Sequence, residues 1–283
     1  MQMSAVPQEV WATLSQEQRD ASYNTNIAVK NSAELIERRA AASKIYRAAH
    51  AKALDIPYGD KPRMAFDLYP GEKAGPCLIF IHGGYWQRNS REVFATYAEG
   101  VNKAGWSFAI PGYTLAPEAT LTEIVGEIRQ SLDWLAANGA KYGVSGPYVL
   151  SGWSAGGHLT AMLLGHPAVA AGLGIAGVYE LGPLRDTYLN EALKLTEVEI
   201  ETLSPLRLPV VHKPMAITCG ENDLPALISD SRRLHAMRTA AGATGPLIAL
   251  AGENHFTILS QFHGGALIKA AQDILALSQR SAA

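Results

Sequence analysis

The chain of 283 residues carries 24 basic and 26 acidic side chains, a formal net charge of −2, and 48% hydrophobic against 18% charged residues. That balance describes a globular protein rather than a disordered or fibrous one, and the length suits one large α/β domain or two small ones. So small a net charge gives no electrostatic reason to expect nucleic acid or an anionic membrane as a partner.

Two cysteines, Cys77 and Cys219, sit at the edges of apolar, strand-like runs, too few for a disulfide framework or a zinc cluster. A reducing, cytoplasmic setting is the expectation. Residues 1–10 show no basic region followed by an apolar one, and no run approaches the about 18 apolar residues of a membrane span.

Taken in order, the chain opens with helical signals. Gln8 to Arg19 reads as a short amphipathic helix and Asn31 to Ala53 as a longer one, with Leu35, Ile36, Ala40, Ile45 and Ala49 on one face. This arm, residues 1–53, has two readings: packing cover for a sheet, or lid over a site. Leu54 to Tyr58 and Met64 to Tyr69 flank Gly59-Asp60-Lys61-Pro62 and predict a hairpin. Pro76 to His82 is apolar throughout, as expected of a central strand buried on both faces. Then come a helix over Ser90 to Lys103 with Ser90 as N-cap, a strand over Trp106 to Ile110, and an amphipathic helix over Thr120 to Ala137. Further strands are predicted at Tyr148 to Leu150, Ala171 to Val178, Pro214 to Cys219 and Leu247 to Ala251, and helices at Ile228 to Ala241 and Ala266 to Ser278. Leu181 to Leu208 reads as a polar, irregular or short-helical insertion. Strands alternating with helices imply a mostly parallel sheet covered on both faces, in a single α/β domain whose core spans 54–283.

Within that pattern Gly152-Trp153-Ser154-Ala155-Gly156 lies between a strand and a helix. Gly-x-Ser-x-Gly at that junction is a nucleophile elbow, in which the serine stands on a strained turn that only small neighbours tolerate. Such a serine needs a base, an orienter for the base, and donors for an oxyanion. In parallel sheets these groups gather in loops beyond the carboxyl ends of strands.

Of eight histidines, His255 follows the last predicted strand, within Gly252-Glu253-Asn254-His255-Phe256, and is the candidate base. His158 falls in the helix after the serine and reads as structural, and the remainder as packing or surface residues. The orienter should lie between serine and base in the chain. Asp223 is preferred over Glu221 because its short side chain sits a few residues past a strand end and before Pro225; Asp230 is expected inside a helix and solvated. For oxyanion donors the candidates are the backbone N–H groups of Ala155 and of Gly83 and Gly84 in His82-Gly83-Gly84-Tyr85-Trp86, with His82 bracing the loop.

With these elements placed, residues 54 to 278 resemble the α/β-hydrolase superfamily, and within it the hormone-sensitive-lipase-like esterases and the kynurenine formamidases. Tyr113-Thr114-Leu115-Ala116-Pro117-Glu118 resembles an esterase turn. His82-Gly83-Gly84-Tyr85-Trp86, the elbow from Ser151 to Leu159, Asp223-Leu224-Pro225, Asn254-His255-Phe256, Tyr23-Asn24 and Ile56-Pro57-Tyr58-Gly59 are similar to formamidase motifs. Departures are Ala226-Leu227, where that family has Glu-Phe, and Trp153, where it often has His.

The resemblance implies a serine hydrolase that cleaves a small acyl group, formyl or acetyl, from an aryl amide or ester. General carboxylesterase activity is the alternative, and a non-catalytic receptor on the same fold a more distant one. It implies no cofactor and no metal, a small-molecule substrate, and a homodimer. Tyr85, Trp86, Trp153, Tyr113 and Tyr179 are candidates for an aromatic substrate wall, and residues 181–208 for a cap.

Overall fold

The computed structural model describes residues 8–281. The arm forms four helices: α1 (Gln8–Thr13), α2 (Gln16–Tyr23), α3 (Thr25–Ala28) and α4 (Ser32–Ala49). The single helix expected over Gln8 to Arg19 is interrupted because Ser15 caps α2. Its hydroxyl accepts from Gln18 N while the Gln18 side chain accepts from Ser15 N, a reciprocal box that starts a new helix there.

The face of α4 turned inward matches the expected one only in part. Ser32, Arg39 and Ser43 are buried, with Leu35, Ile36 and Tyr46 partly so, whereas Ile45 is 73% exposed. Polar residues win this face because each meets a specific partner. Ser43 Oγ accepts from Thr96 N at 3.2 Å. The Arg39 guanidinium lies over Phe94, 4.1 Å from the ring centroid.

After a 3₁₀ turn at Ala51–Ala53, the chain enters an eight-stranded sheet. Its strands are β1 (Ile56–Pro57), β2 (Ala65–Tyr69), β3 (Cys77–Ile81), β4 (Ser107–Pro111), β5 (Tyr148–Trp153), β6 (Val169–Ile175), β7 (Met215–Gly220) and β8 (Leu247–Leu250). Their spatial order is β1-β2-β4-β3-β5-β6-β7-β8, with the first two pairings antiparallel and the rest parallel. Between the strands run a 3₁₀ segment Arg91–Tyr97 leading into α5 (Ala98–Lys103), then α6 (Leu121–Asn138), α7 (Ala155–Leu163), α8 (Asn190–Leu193), α9 (Glu197–Leu203), α10 (Pro225–Ala240) and α11 (Ala266–Ser281). Ser90 is extended but makes no side-chain cap bond, in keeping with the 3₁₀ start.

Helices cover both faces, and the period-two alternation of strand side chains splits the core accordingly. Ile79 and Ile81 join the cluster that includes α6 and α7, while Leu78 and Phe80 join the one that includes α11. No helix among the described residues is long and apolar enough to cross a membrane.

Candidate active site

Ser154 follows β5 directly. Its φ of 58° and ψ of −118° lie outside the ordinary regions, and the turn is held by Ser154 N donating to Ile175 O at 2.8 Å. The flanking glycines are required by close approach. A Cβ on Gly152 would lie 2.1 Å from Gly156 O, and one on Gly156 would lie 2.0 Å from Ile81 O. The sequence pattern therefore reflects backbone contact across the elbow. Among the described residues none is hydrogen-bonded to Ser154 Oγ.

Asp223 and His255 meet through the pairing of β7 with β8. The register Gly220↔Leu250 continues past the strand ends, with Glu221 N donating to Leu250 O and Asn222 N to Glu253 O. His255 Nδ1 donates to Asp223 Oδ2 at 2.9 Å, and both side chains are buried. The other carboxylate oxygen accepts from Leu224 N at 2.7 Å, so Asp223 is fixed at both ends. His255 is steadied by Asn254, whose side chain accepts from Phe256 N and Thr257 N, and by Trp153 Nε1 donating to His255 O at 2.8 Å. With Nδ1 engaged, Nε2 is the nitrogen left to accept a proton.

The loop after β3 lies against the serine. A Cβ on Gly83 would come within 2.8 Å of Ser154 Cβ. Gly83 O accepts from His82 Nδ1 and Asn89 Nδ2, each at 3.0 Å. In a trans peptide the N–H of Gly84 must then point the opposite way. Among the described residues nothing accepts from the N–H groups of Gly83, Gly84 or Ala155, the last being an orphan donor at the start of α7. His82 stacks on Tyr113 with centroids 4.3 Å apart, and burial pushes its pKa down to about 3, so it is a neutral brace. Tyr113 OH donates to His82 O at 2.9 Å.

His158 is likewise neutral, burial taking its pKa to about 4, but its bond is not local to the elbow. Nε2 donates to Leu203 O at 2.7 Å, tying α7 to the 181–208 insertion. The five aromatics do not form an open wall: Trp86, Tyr113 and Tyr179 are fully enclosed, Trp153 is 2% exposed and Tyr85 8%. Trp153 instead lies beneath His255, its ring 4.9 Å from the imidazole. Asp230, expected in solvent, is 4% exposed; its Oδ2 accepts from Tyr179 N and Glu180 N, which pulls it inward. Glu253 turns away from the site toward Gln261. An open groove of about 720 Å³ between α4 and Thr96–Lys103 contains none of the site residues.

Two partners of the site, and one residue that braces the arm, escaped sequence reasoning. Asn89 and Arg39 stand in no motif, and their contacts are made to residues placed by the fold. Asp67, fully buried in β2, accepts from Arg47 Nε at 2.7 Å and Arg91 Nε at 3.1 Å. Its alternation among apolar residues was the available signal.

A solved structure from a Silicibacter species, provisionally described as a thioesterase, superposes with a TM-score of 0.78 at 27% identity, covering 89% of this chain and 98% of its own. The chain is an α/β-hydrolase. Residues 66–169 match the family model described as BD-FAE. Over 225 residues the α/β-hydrolase is 29% identical to the kynurenine formamidase of Danio rerio, spanning 74% of this chain and 76% of that protein. It is 30% identical over 112 residues to esterase LipC of Mycobacterium tuberculosis, 37% of this chain and 28% of that one. These relatives place it among the esterases and formamidases, as a hydrolase of amides or esters.

Proposed function

We propose that this hydrolase removes a small acyl group, formyl or acetyl, from an aryl amide or ester, with Ser154 as nucleophile, His255 as base and Asp223 as its orienter. The observation that carries the reading is the buried 2.9 Å bond from His255 Nδ1 to Asp223 Oδ2, at the same end of the sheet as a serine in a strained turn. His255 Nε2 takes the proton of Ser154 as Oγ attacks the carbonyl. The Gly83, Gly84 and Ala155 N–H groups receive the oxyanion, and His255 returns the proton to the leaving amine or alcohol. Water then repeats the cycle on the acyl-enzyme. Ser–His bonds of this kind often tighten only when substrate is present.

The formamidase relatives support an amide substrate. The esterase relatives support general carboxylester hydrolysis as the second reading. Comparing kcat/KM for N-formylkynurenine, an aryl acetate and an aryl amide separates them. Formylkynurenine turned over no better than a p-nitrophenyl ester would retire the formamidase reading. Ser154→Ala should lose at least about 10⁴-fold in kcat and all labelling by an organophosphate. Retained turnover would refute the mechanism.

A further inference from the structure

The loop that carries Gly83 and Gly84 continues through two residues in the left-handed region. Tyr85 has φ 51° and Trp86 φ 57°, a conformation that residues with side chains rarely adopt and that surrounding contacts must impose. The contacts holding this loop are specific. Gln87 N and Arg88 N both donate to Gly84 O at 3.0 Å, and Ala116 N donates to Trp86 O at 2.8 Å. The Trp86 ring stands edge-on to His158, with centroids 5.0 Å apart. Tyr85 is held from outside the catalytic core: its hydroxyl donates to Tyr23 O at 2.8 Å.

Tyr23 is the last residue of α2, and its carbonyl is among those a helix end leaves without an internal donor. Tyr85 therefore completes the arm while the arm fixes Tyr85. The arm is anchored in turn to the insertion: Tyr188 N donates to Asp20 Oδ1 at 2.8 Å, Gln16 Nε2 to Asp186 O at 2.9 Å, and Trp11 Nε1 to Asp186 Oδ2 at 3.2 Å. On the far side of the strained pair, Gln87 Nε2 donates to Leu189 O at 2.9 Å. The loop is thus gripped by the arm at Tyr85 and by the insertion at Gln87.

We propose that Tyr85 is a positioning residue: through its hydroxyl on Tyr23 O, the N-terminal arm holds the 83–86 loop so that the Gly83 and Gly84 N–H groups face the oxyanion formed at Ser154. The inference rests on the serine-hydrolase reading above and adds the arm to its machinery. A ring that served as a substrate contact would act chiefly through KM. A hydroxyl that aligns oxyanion donors acts on the transition state and leaves substrate binding alone.

Tyr85→Phe keeps the ring and removes the bond. With an aryl acetate, kcat should fall about 10- to 100-fold, less than the about 10²- to 10³-fold of losing a donor outright. KM should stay within about twofold. The inhibition constant of an aryl trifluoromethyl ketone, which adds to the serine as a tetrahedral adduct, should rise by the factor that kcat/KM loses. The pH profile of kcat/KM should not move, because His255 is untouched. Rates are normalised to sites titrated with an organophosphate, so a folding defect cannot pass as a loss of kcat. Normalised kcat within about twofold of the parent, an unmoved inhibition constant, or a change confined to KM would overturn the inference. If Ser154→Ala is dead while Tyr85→Phe is unimpaired, the inference alone fails. If Ser154→Ala is active, the reading beneath it fails first.

Discussion

Ser154 keeps its elbow conformation against a backbone cost of about 1–3 kcal/mol, offset by the Ile175 hydrogen bond and the tight Gly152 to Gly156 contact. The same logic applies to His255 as the proposed base. His255 is useful only in one tautomer, which Asp223 sets by accepting from Nδ1. Asp223→Asn keeps the shape but invites the wrong tautomer, and should lower kcat by about 10⁴-fold with little change in melting temperature; a loss under tenfold would show that Asp223 does not orient the base. Trp153→Phe removes the 2.8 Å bond to His255 O and leaves that carbonyl buried without its donor. A loss of about 1–3 kcal/mol in stability by urea titration is expected, with a several-fold fall in kcat. If Trp153 met substrate instead, KM would carry the effect and stability would not.

At the scale of elements, α4 shows what a sequence reading can and cannot reach. Its helical periodicity is plain, but the face turned inward is chosen by distant partners: Thr96 for Ser43, Phe94 for Arg39, Asp67 for Arg47. An apolar count groups Ile45 with Leu35 and Ile36, yet the latter two pack inward and Ile45 is exposed. The same holds for Asp230, polar by type yet drawn inward by two backbone N–H groups some fifty residues away. By contrast the alternation of strands with helices, and the places of Ser154, Asp223 and His255 just past strand ends, were readable, since strand ends, turns and small residues are local signals. Asp67 ties the elements together. It binds Arg47 of α4 and Arg91 of the 3₁₀ segment, and accepts from Asp55 N, pinning arm and sheet edge at one point. Asp67→Ala takes the buried acceptor from Arg47 and Arg91, which keep Asp55 and Glu92 as partners, and should cost about 1–3 kcal/mol of unfolding free energy by urea titration. A cost below about 0.5 kcal/mol would mean that the arm is held by its other contacts and not through Asp67.

Across the whole molecule three enclosed titratable groups set opposite pH slopes. His82 and His158 are neutral in the fold, with pKa values pushed by burial from 6.5 to about 3 and about 4. The unfolded chain binds their protons first, so their contribution to stability is complete above about pH 6.5 and is lost as pH falls below it. Asp230 runs the other way: burial raises its pKa from 3.8 to about 7, against the pull of the Tyr179 and Glu180 N–H groups. The fold then holds a proton that the unfolded chain has released, so this contribution is complete below pH 3.8 and is lost as pH rises to about 7. Between pH 4 and 6.5 two rising contributions meet one falling contribution, and these groups together give a net rise of about one proton's worth, roughly 1.4 kcal/mol per pH unit. Asp230→Asn removes the falling contribution while keeping an oxygen acceptor for both N–H groups. Urea midpoints across this range should then climb more steeply in the variant than in the parent, and the variant should gain on the parent until about pH 7 and no further. Parallel curves would show that Asp230 is ionised throughout and that its two backbone donors outweigh its burial.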